Sequence, residues 1–193
     1  MASTRILVFA GSLRRDSLNH ALAVAAARGA ASAEITELRL RDYPLPLYDE
    51  EIEEADGLPD NCLKLKDIFR THHGLIVGCP EYNSAITGVM KNAIDWVSRP
   101  RDGEGPLECF EGKVVGLVAA SPGGLGGIRG LPTVRRIFGH IRSIVLPEQF
   151  SLPNAADAFD DAGGLKSDDH RKAAEKVGRR VAEVAAAVGV ATA

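Results

Sequence analysis

Cysteine is the first shortage. The chain has three, Cys62, Cys79 and Cys109, far apart and with no Cys-x-x-Cys pair. That argues against a disulfide framework or a zinc site, no metal is expected, and the compartment reads as reducing. A basic excess is also missing: 23 Lys plus Arg face 26 Asp plus Glu, a formal net charge of -3, so no nucleic-acid partner is expected. Long apolar runs are lacking near the start, where Ile6 to Ala10 is too short for a signal core or a membrane span. No membrane partner is expected, and the location reads as cytoplasmic. Aromatics make up only 5% of the residues, leaving few rings to shield a flat ligand. Neither Gly-Lys-Ser/Thr nor Gly-x-Gly-x-x-Gly occurs, which removes the Walker loop and the dinucleotide fingerprint. What remains is 45% hydrophobic and 25% charged over 193 residues, an ordinary globular composition. A single domain, residues 1–193, can bury roughly 70% of its unfolded surface without disulfide or metal.

Buried strands are the strongest signal present. Ile6–Ala10, Gly74–Cys79 and Val114–Ala120 are continuous apolar runs, Glu34–Leu40 alternates weakly, and Ser143–Leu146 opens a last strand. Ser17–Ala31, Asp60–Thr71, Gly88–Ser98, Ile128–His140 and Ser167–Val188 read as helices, with Pro132 in a first turn. Arg41–Pro59 reads as too polar and broken for regular structure. Strands apolar on both sides need cover on both faces, so the alternation implies a doubly wound α/β sandwich around a parallel sheet. Ligands of such sheets bind in loops beyond the carboxyl ends of the strands.

Three of those loops carry candidate chemistry. Gly11-Ser12-Leu13-Arg14-Arg15-Asp16-Ser17-Leu18-Asn19 places hydroxyls, guanidiniums and an amide before a helix N-terminus, where free N–H groups and the dipole favour a phosphate. The same residues also make a capped turn with solvated arginines, and Asp16 opposes a phosphate unless it points outward. Pro80-Glu81-Tyr82-Asn83-Ser84 suits the edge and face of a planar heterocycle, or is an ordinary turn. Glu81 has no visible partner that would make it a general base. Ser121-Pro122-Gly123-Gly124-Leu125-Gly126-Gly127 offers backbone N–H groups to negative charge on a ligand, or is a flexible turn.

Other residues read blandly. His72 and His73 are adjacent and have no third ligand nearby, and His20, His140 and His170 are isolated. Cys79 reads as a small buried hydrophobe and Trp96 as core rather than a stacking platform.

Taken in order, Gly11-Ser-Leu-Arg-x-x-Ser17-x-Asn19, Pro80-Glu-Tyr-Asn-Ser84 with Lys91-Asn-Ala-Ile-Asp-Trp96, and Ser121-Pro-Gly-Gly-x-Gly-Gly127 resemble the NADPH-dependent FMN reductase family. The resemblance spans about residues 5 to 146. It implies a flavodoxin-like fold, with a five-stranded parallel sheet in the order 2-1-3-4-5. It implies FMN as cofactor, with Ser12, Arg14, Ser17 and Asn19 on its phosphate. Pro80, Glu81, Tyr82 and Asn83 would lie against ring and ribityl chain, with Ser121, Gly123 and Gly124 beside the ring. Where relatives commonly carry Pro-Gly before the next helix, this chain has Thr87-Gly88, which alters the turn without removing one of these contacts.

The implied activity is two-electron transfer by ping-pong from NAD(P)H to quinones or similar acceptors such as azo compounds, chromate or free flavin. The implied assembly is a homodimer or homotetramer. No side chain is needed as a nucleophile, so no catalytic residue is assigned. Two other readings are a flavodoxin-type electron carrier and a phosphate-binding hydrolase or transferase of another nucleotide. With only Tyr82 in a candidate flavin loop, an open flavin face favours the enzyme over the carrier.

Overall fold

The computed structural model describes residues 3–189; residues 1–2 and 190–193, the ends of the expected single domain, lie outside the described residues. In chain order the elements are β1 (Arg5–Ala10), α1 (Leu18–Ala27), β2 (Glu34–Glu37), α2 (Glu50–Asp56), α3 (Asp60–Arg70), β3 (Gly74–Gly78), the short β4 (Glu81–Tyr82) and β5 (Ala85–Ile86), α4 (Gly88–Val97), β6 (Val114–Ala120), α5 (Leu131–His140), β7 (Ile144–Leu152) and α6 (Asp168–Gly189). The main sheet runs β2-β1-β3-β6-β7, every pairing parallel. Counting only its own strands, that is the expected order 2-1-3-4-5.

The continuous apolar strands are buried because both faces are covered. Leu7, Phe9, Leu75, Val77, Val115 and Leu117 pack with α3, α4 and α5, where Phe69 of α3 and Phe138 of α5 each meet Phe110, from the segment before β6, at edge-to-face distances. Their neighbours Ile6, Val8, Ile76, Val114 and Val118 face the opposite way, onto α1 and α6. The period of two along each strand therefore divides its residues between two cores rather than between core and solvent. Trp96 belongs to the covered set, fully buried with its indole N–H donating to the Pro46 carbonyl at 2.8 Å.

Three boundaries differ from the sequence reading. Within Arg41–Pro59, expected to be irregular, the chain forms a short 3₁₀ turn over Leu40–Asp42 and then α2. Helix α2 buries no residue; it forms because Asp49 caps the Glu51 N–H at 2.9 Å, acids fill its first turn, and Gly57 ends it. Glu53 ties it down by accepting from Tyr48 Oη at 2.9 Å and pairing with Arg99. The last strand continues from Leu146 to Leu152, because a register shift opposite Val115 and Leu117 accommodates Pro147 at the sheet edge. The loop after β3, read as a loop or an ordinary turn, contains the β4–β5 hairpin.

Candidate functional site

The first turn of α1 rests directly on the carboxyl edge of the sheet. A Cβ at Gly78, the last residue of β3, would run into the Asn19 carbonyl, so only glycine permits that approach. Ser17 caps α1 by accepting the His20 N–H at 3.2 Å and keeps its own hydroxyl proton to donate. The N–H groups of Leu18 and Asn19 have no acceptor inside the helix and stand at its positive end. Ser12 Oγ accepts the Arg14 N–H at 3.2 Å and folds the loop back on itself.

This fold separates the two arginines. Arg14 enters a cleft of about 390 Å³ that it shares with Gly11, Ser12, Tyr82, Thr87 and Val89. Among the described residues no carboxylate pairs with Arg14. Arg15 and Asp16 line a different groove, of about 470 Å³, on the outer side of α1. Asp16 is thereby directed outward.

The second loop supplies the cleft's other wall. Asn83 and Ser84 both take left-handed backbone (φ 51° and 63°), as a two-residue hairpin turn between β4 and β5 requires. Tyr82 stands 60% exposed at the cleft, and Asn83 is exposed beside it. Thr87 closes the loop: its hydroxyl donates to the Gly11 carbonyl at 2.7 Å and accepts the Met90 N–H at 3.3 Å. One side chain thus caps α4 and joins the first loop to the second. Pro80 is buried, and so is the preceding Cys79, whose thiol burial drives far above its ordinary range, leaving no thiolate for the cleft.

Several expected contacts have other work. Asn19 does not hold its amide out to a ligand: Nδ2 donates to the Ala120 carbonyl and Oδ1 accepts the Ala120 N–H, both at 2.8 Å and both buried. The amide clasps α1 to the end of β6. Glu81 likewise turns from the cleft, its side chain only 8% exposed, to accept the Gly130 N–H at 2.8 Å and pair with Arg129 at 3.0 Å. That carboxylate bonds the hairpin to the start of α5.

In the third loop, Ser121 Oγ accepts the Gly123 N–H at 3.1 Å, and Ser151 Oγ donates to the Gly126 carbonyl at 3.0 Å. Gly126 and Gly127 take left-handed backbone (φ 60° and 82°), and at Gly126 the Leu152–Pro153 backbone also lies where a Cβ would be, whereas Gly123 and Gly124 have room for one. Ser121, Gly123 and Gly124 do not line the Arg14–Tyr82 cleft. The sequence reading missed Thr87 and Arg129 as members of this assembly. Thr87 carried a usable signal, a threonine immediately before a helix.

A hydroxyl and an unpaired guanidinium in the loop before a helix N-terminus, across a cleft from a tyrosine at the carboxyl edge of a doubly wound sheet, form the arrangement of a mononucleotide site in the flavodoxin-like class. A profile of the NADPH-dependent FMN reductases matches residues 4–157, and the chain belongs to that family. It is an oxidoreductase with FMN as prosthetic group and a reduced nicotinamide as electron donor. It is 34% identical over 162 residues to a quinone reductase of Pseudomonas putida, covering 83% of each chain. It is 32% identical over 173 residues to an NAD(P)H-dependent FMN reductase of Pseudomonas aeruginosa, covering 87% of this chain and 88% of that one. Among solved structures it resembles FerB, an NAD(P)H:(acceptor) oxidoreductase of Paracoccus denitrificans, with a TM-score of 0.78 at 25% identity over 95% of this chain and 97% of that one. Family membership decides for an enzyme over the electron carrier and over a hydrolase or transferase. No described helix is long and apolar enough to cross a membrane.

Proposed function

We propose that the chain, as one domain over residues 1–193, reduces quinones or similar small acceptors by ping-pong at a single exposed flavin face, with the FMN phosphate held at Arg14. The observation that carries this reading is the divergence of Arg14 from Arg15 and Asp16, which leaves one unpaired cation in the cleft and removes the nearest carboxylate from it. FMN, when bound, supplies the acceptance and release of hydride.

The chain's own part is binding and orientation. Ser12 and Arg14 line the cleft, while Ser17 and Leu18, at the start of α1, line the neighbouring groove with Arg15 and Asp16, so a dianionic phosphate held by all of these donors would sit at the border of the two. Tyr82 offers a flat wall to the ring, and Pro80 and Asn83 frame it from the same loop. The hairpin is stiffened by its turn and by Glu81, so the wall is set before a ligand arrives. Ser121, Gly123 and Gly124 remain the third-loop candidates for the far side of the ring. Leu13, Tyr82, Leu125 and Ile128, about half exposed, support a homo-oligomer. Three buried free thiols support a reducing, cytoplasmic location.

The test is a pair of variants titrated with FMN and with riboflavin, which lacks the phosphate. Arg14→Ala is expected to weaken FMN about tenfold or more and riboflavin hardly at all, since one charge-assisted bond is worth roughly 1.5–3 kcal/mol. Arg15→Ala is the control and leaves both unchanged. Equal losses for the two flavins, or a larger effect at Arg15, would overturn the assignment. Parallel initial-rate lines for nicotinamide and quinone are expected from ping-pong; intersecting lines refute a shared face.

A further inference from the structure

Behind the first loop, on the side away from the cleft, four groups form a chain. His20, in the first turn of α1 and buried, has Nε2 2.7 Å from Oε1 of Glu37, the last residue of β2. Arg39 places Nη2 3.3 Å from the same carboxylate oxygen, and its Nη1 donates to the Arg15 carbonyl at 3.2 Å. The end of the edge strand is thus connected through two side chains to the backbone of the candidate phosphate loop. The hydrogen bond from His20, with the charge of Arg39, holds the Glu37 carboxyl below its ordinary range, so the anion that anchors Arg39 persists at neutral pH.

The consequence lies in the peptide plane. In a trans peptide the C=O of one residue and the N–H of the next point in opposite directions. With the Arg15 carbonyl turned outward to Arg39, the Asp16 N–H points away from Arg39. Among the described residues that N–H has no acceptor. We propose that Arg39, oriented by the His20–Glu37 pair, is a positioning residue: it fixes the 15–16 peptide so that the Asp16 N–H, beside Ser17 and the α1 N-terminus, is presented to the FMN phosphate. This rests on the reading that the first loop holds that phosphate.

The role is distinct from fold maintenance, because Arg39 and Glu37 are themselves about 40% exposed, Glu37 ending a four-residue edge strand and Arg39 lying two residues beyond it. Removing the guanidinium frees the peptide to rotate without opening a core.

The experiment uses apoprotein titrated with FMN and riboflavin by flavin fluorescence, together with the apoprotein melting temperature. Wild type is measured first: a marked preference for FMN upholds the phosphate loop, and no preference sinks that reading and the present one with it. Given the preference, Arg39→Ala is expected to weaken FMN about five- to tenfold, as for one displaced donor, with riboflavin within about twofold of wild type and melting nearly unchanged. Glu37→Gln should give a smaller loss of the same selectivity, and Arg39→Lys should recover part of it. An unchanged FMN affinity in Arg39→Ala, or equal loss of FMN and riboflavin, would refute the positioning role while leaving the phosphate loop standing.

Discussion

Asn19 closes the first-loop motif proposed to hold the FMN phosphate, yet its amide is occupied by Ala120, and replacing it distinguishes the two roles. Asn19→Ala removes two 2.8 Å hydrogen bonds at a site where Asn19 is 6% and Ala120 4% exposed. Water cannot readily replace them, so the Ala120 N–H and C=O are left buried and unpaired at about 1–3 kcal/mol each, roughly 2–6 kcal/mol together. For a chain of this length each kcal/mol moves the melting temperature by about 2–4 °C, which places the expected fall at about 4–24 °C. The effect should appear in apoprotein, measured by circular dichroism without flavin. FMN and riboflavin affinities should then fall by the same factor, because the loosened contact between α1 and β6 disturbs the whole edge rather than a phosphate ligand. Asn19→Asp should also destabilise: its carboxylate can accept the Ala120 N–H but turns lone pairs on the Ala120 carbonyl. An apoprotein that melts like wild type while losing FMN affinity alone would show that the amide reaches the phosphate after all.

Two further outcomes follow from buried charge. Arg129→Ala strips the Glu81 carboxylate of its cation while leaving the Gly130 N–H, and should lower denaturant stability by about 1–3 kcal/mol; Glu81→Gln in the same background should recover most of that, and no recovery would show that the charge is not what needs a partner. Lys113, 7% exposed with Nζ donating to the His72 carbonyl at 2.6 Å, has its pKa lowered by burial from 10.5 to about 8. Between those values the unfolded chain binds more protons than the folded one, so this group raises stability with pH across about 8 to 10.5, by on the order of 3 kcal/mol. The difference in unfolding free energy between wild type and Lys113→Met should therefore grow in favour of wild type over that window; a flat difference refutes it.

The strands were legible in the sequence where burial on both faces leaves one chemical type. Ile6 to Ala10 and Val114 to Ala120 are apolar without interruption because alternate residues meet different helix layers, and no loop composition imitates that. Elements that bury little left weaker marks. Helix α2 has a cap and acids but no apolar stripe, so the periodicity that reveals helices is missing. In β7 the polar run after Leu146 hides a strand that continues past its bulge, since an edge strand need not be apolar and can hold Pro147 where no ladder donor is required.

The site divides along a different line. That phosphate-type donors, an aromatic and a glycine loop gather at one sheet edge was legible, because a parallel sheet brings together all loops that follow its strands. Which atoms remain free for a ligand was not. An asparagine or a glutamate in such a loop satisfies a ligand or the chain with the same atoms, and the deciding partner is distant: Ala120 stands 101 residues from Asn19, and Gly130 stands 49 from Glu81. Arg14 and Arg15 pose the same problem at a separation of one residue, since the backbone turn and not the residue type sends them to opposite sides of the loop. The two kinds of role are nevertheless physically linked. On the proposed reading a rigid donor array for FMN needs its peptides held from behind, so the carboxylates and amides that face away from the cleft, Glu37, Glu81 and Asn19, would set how well Ser12, Arg14 and Tyr82 face into it.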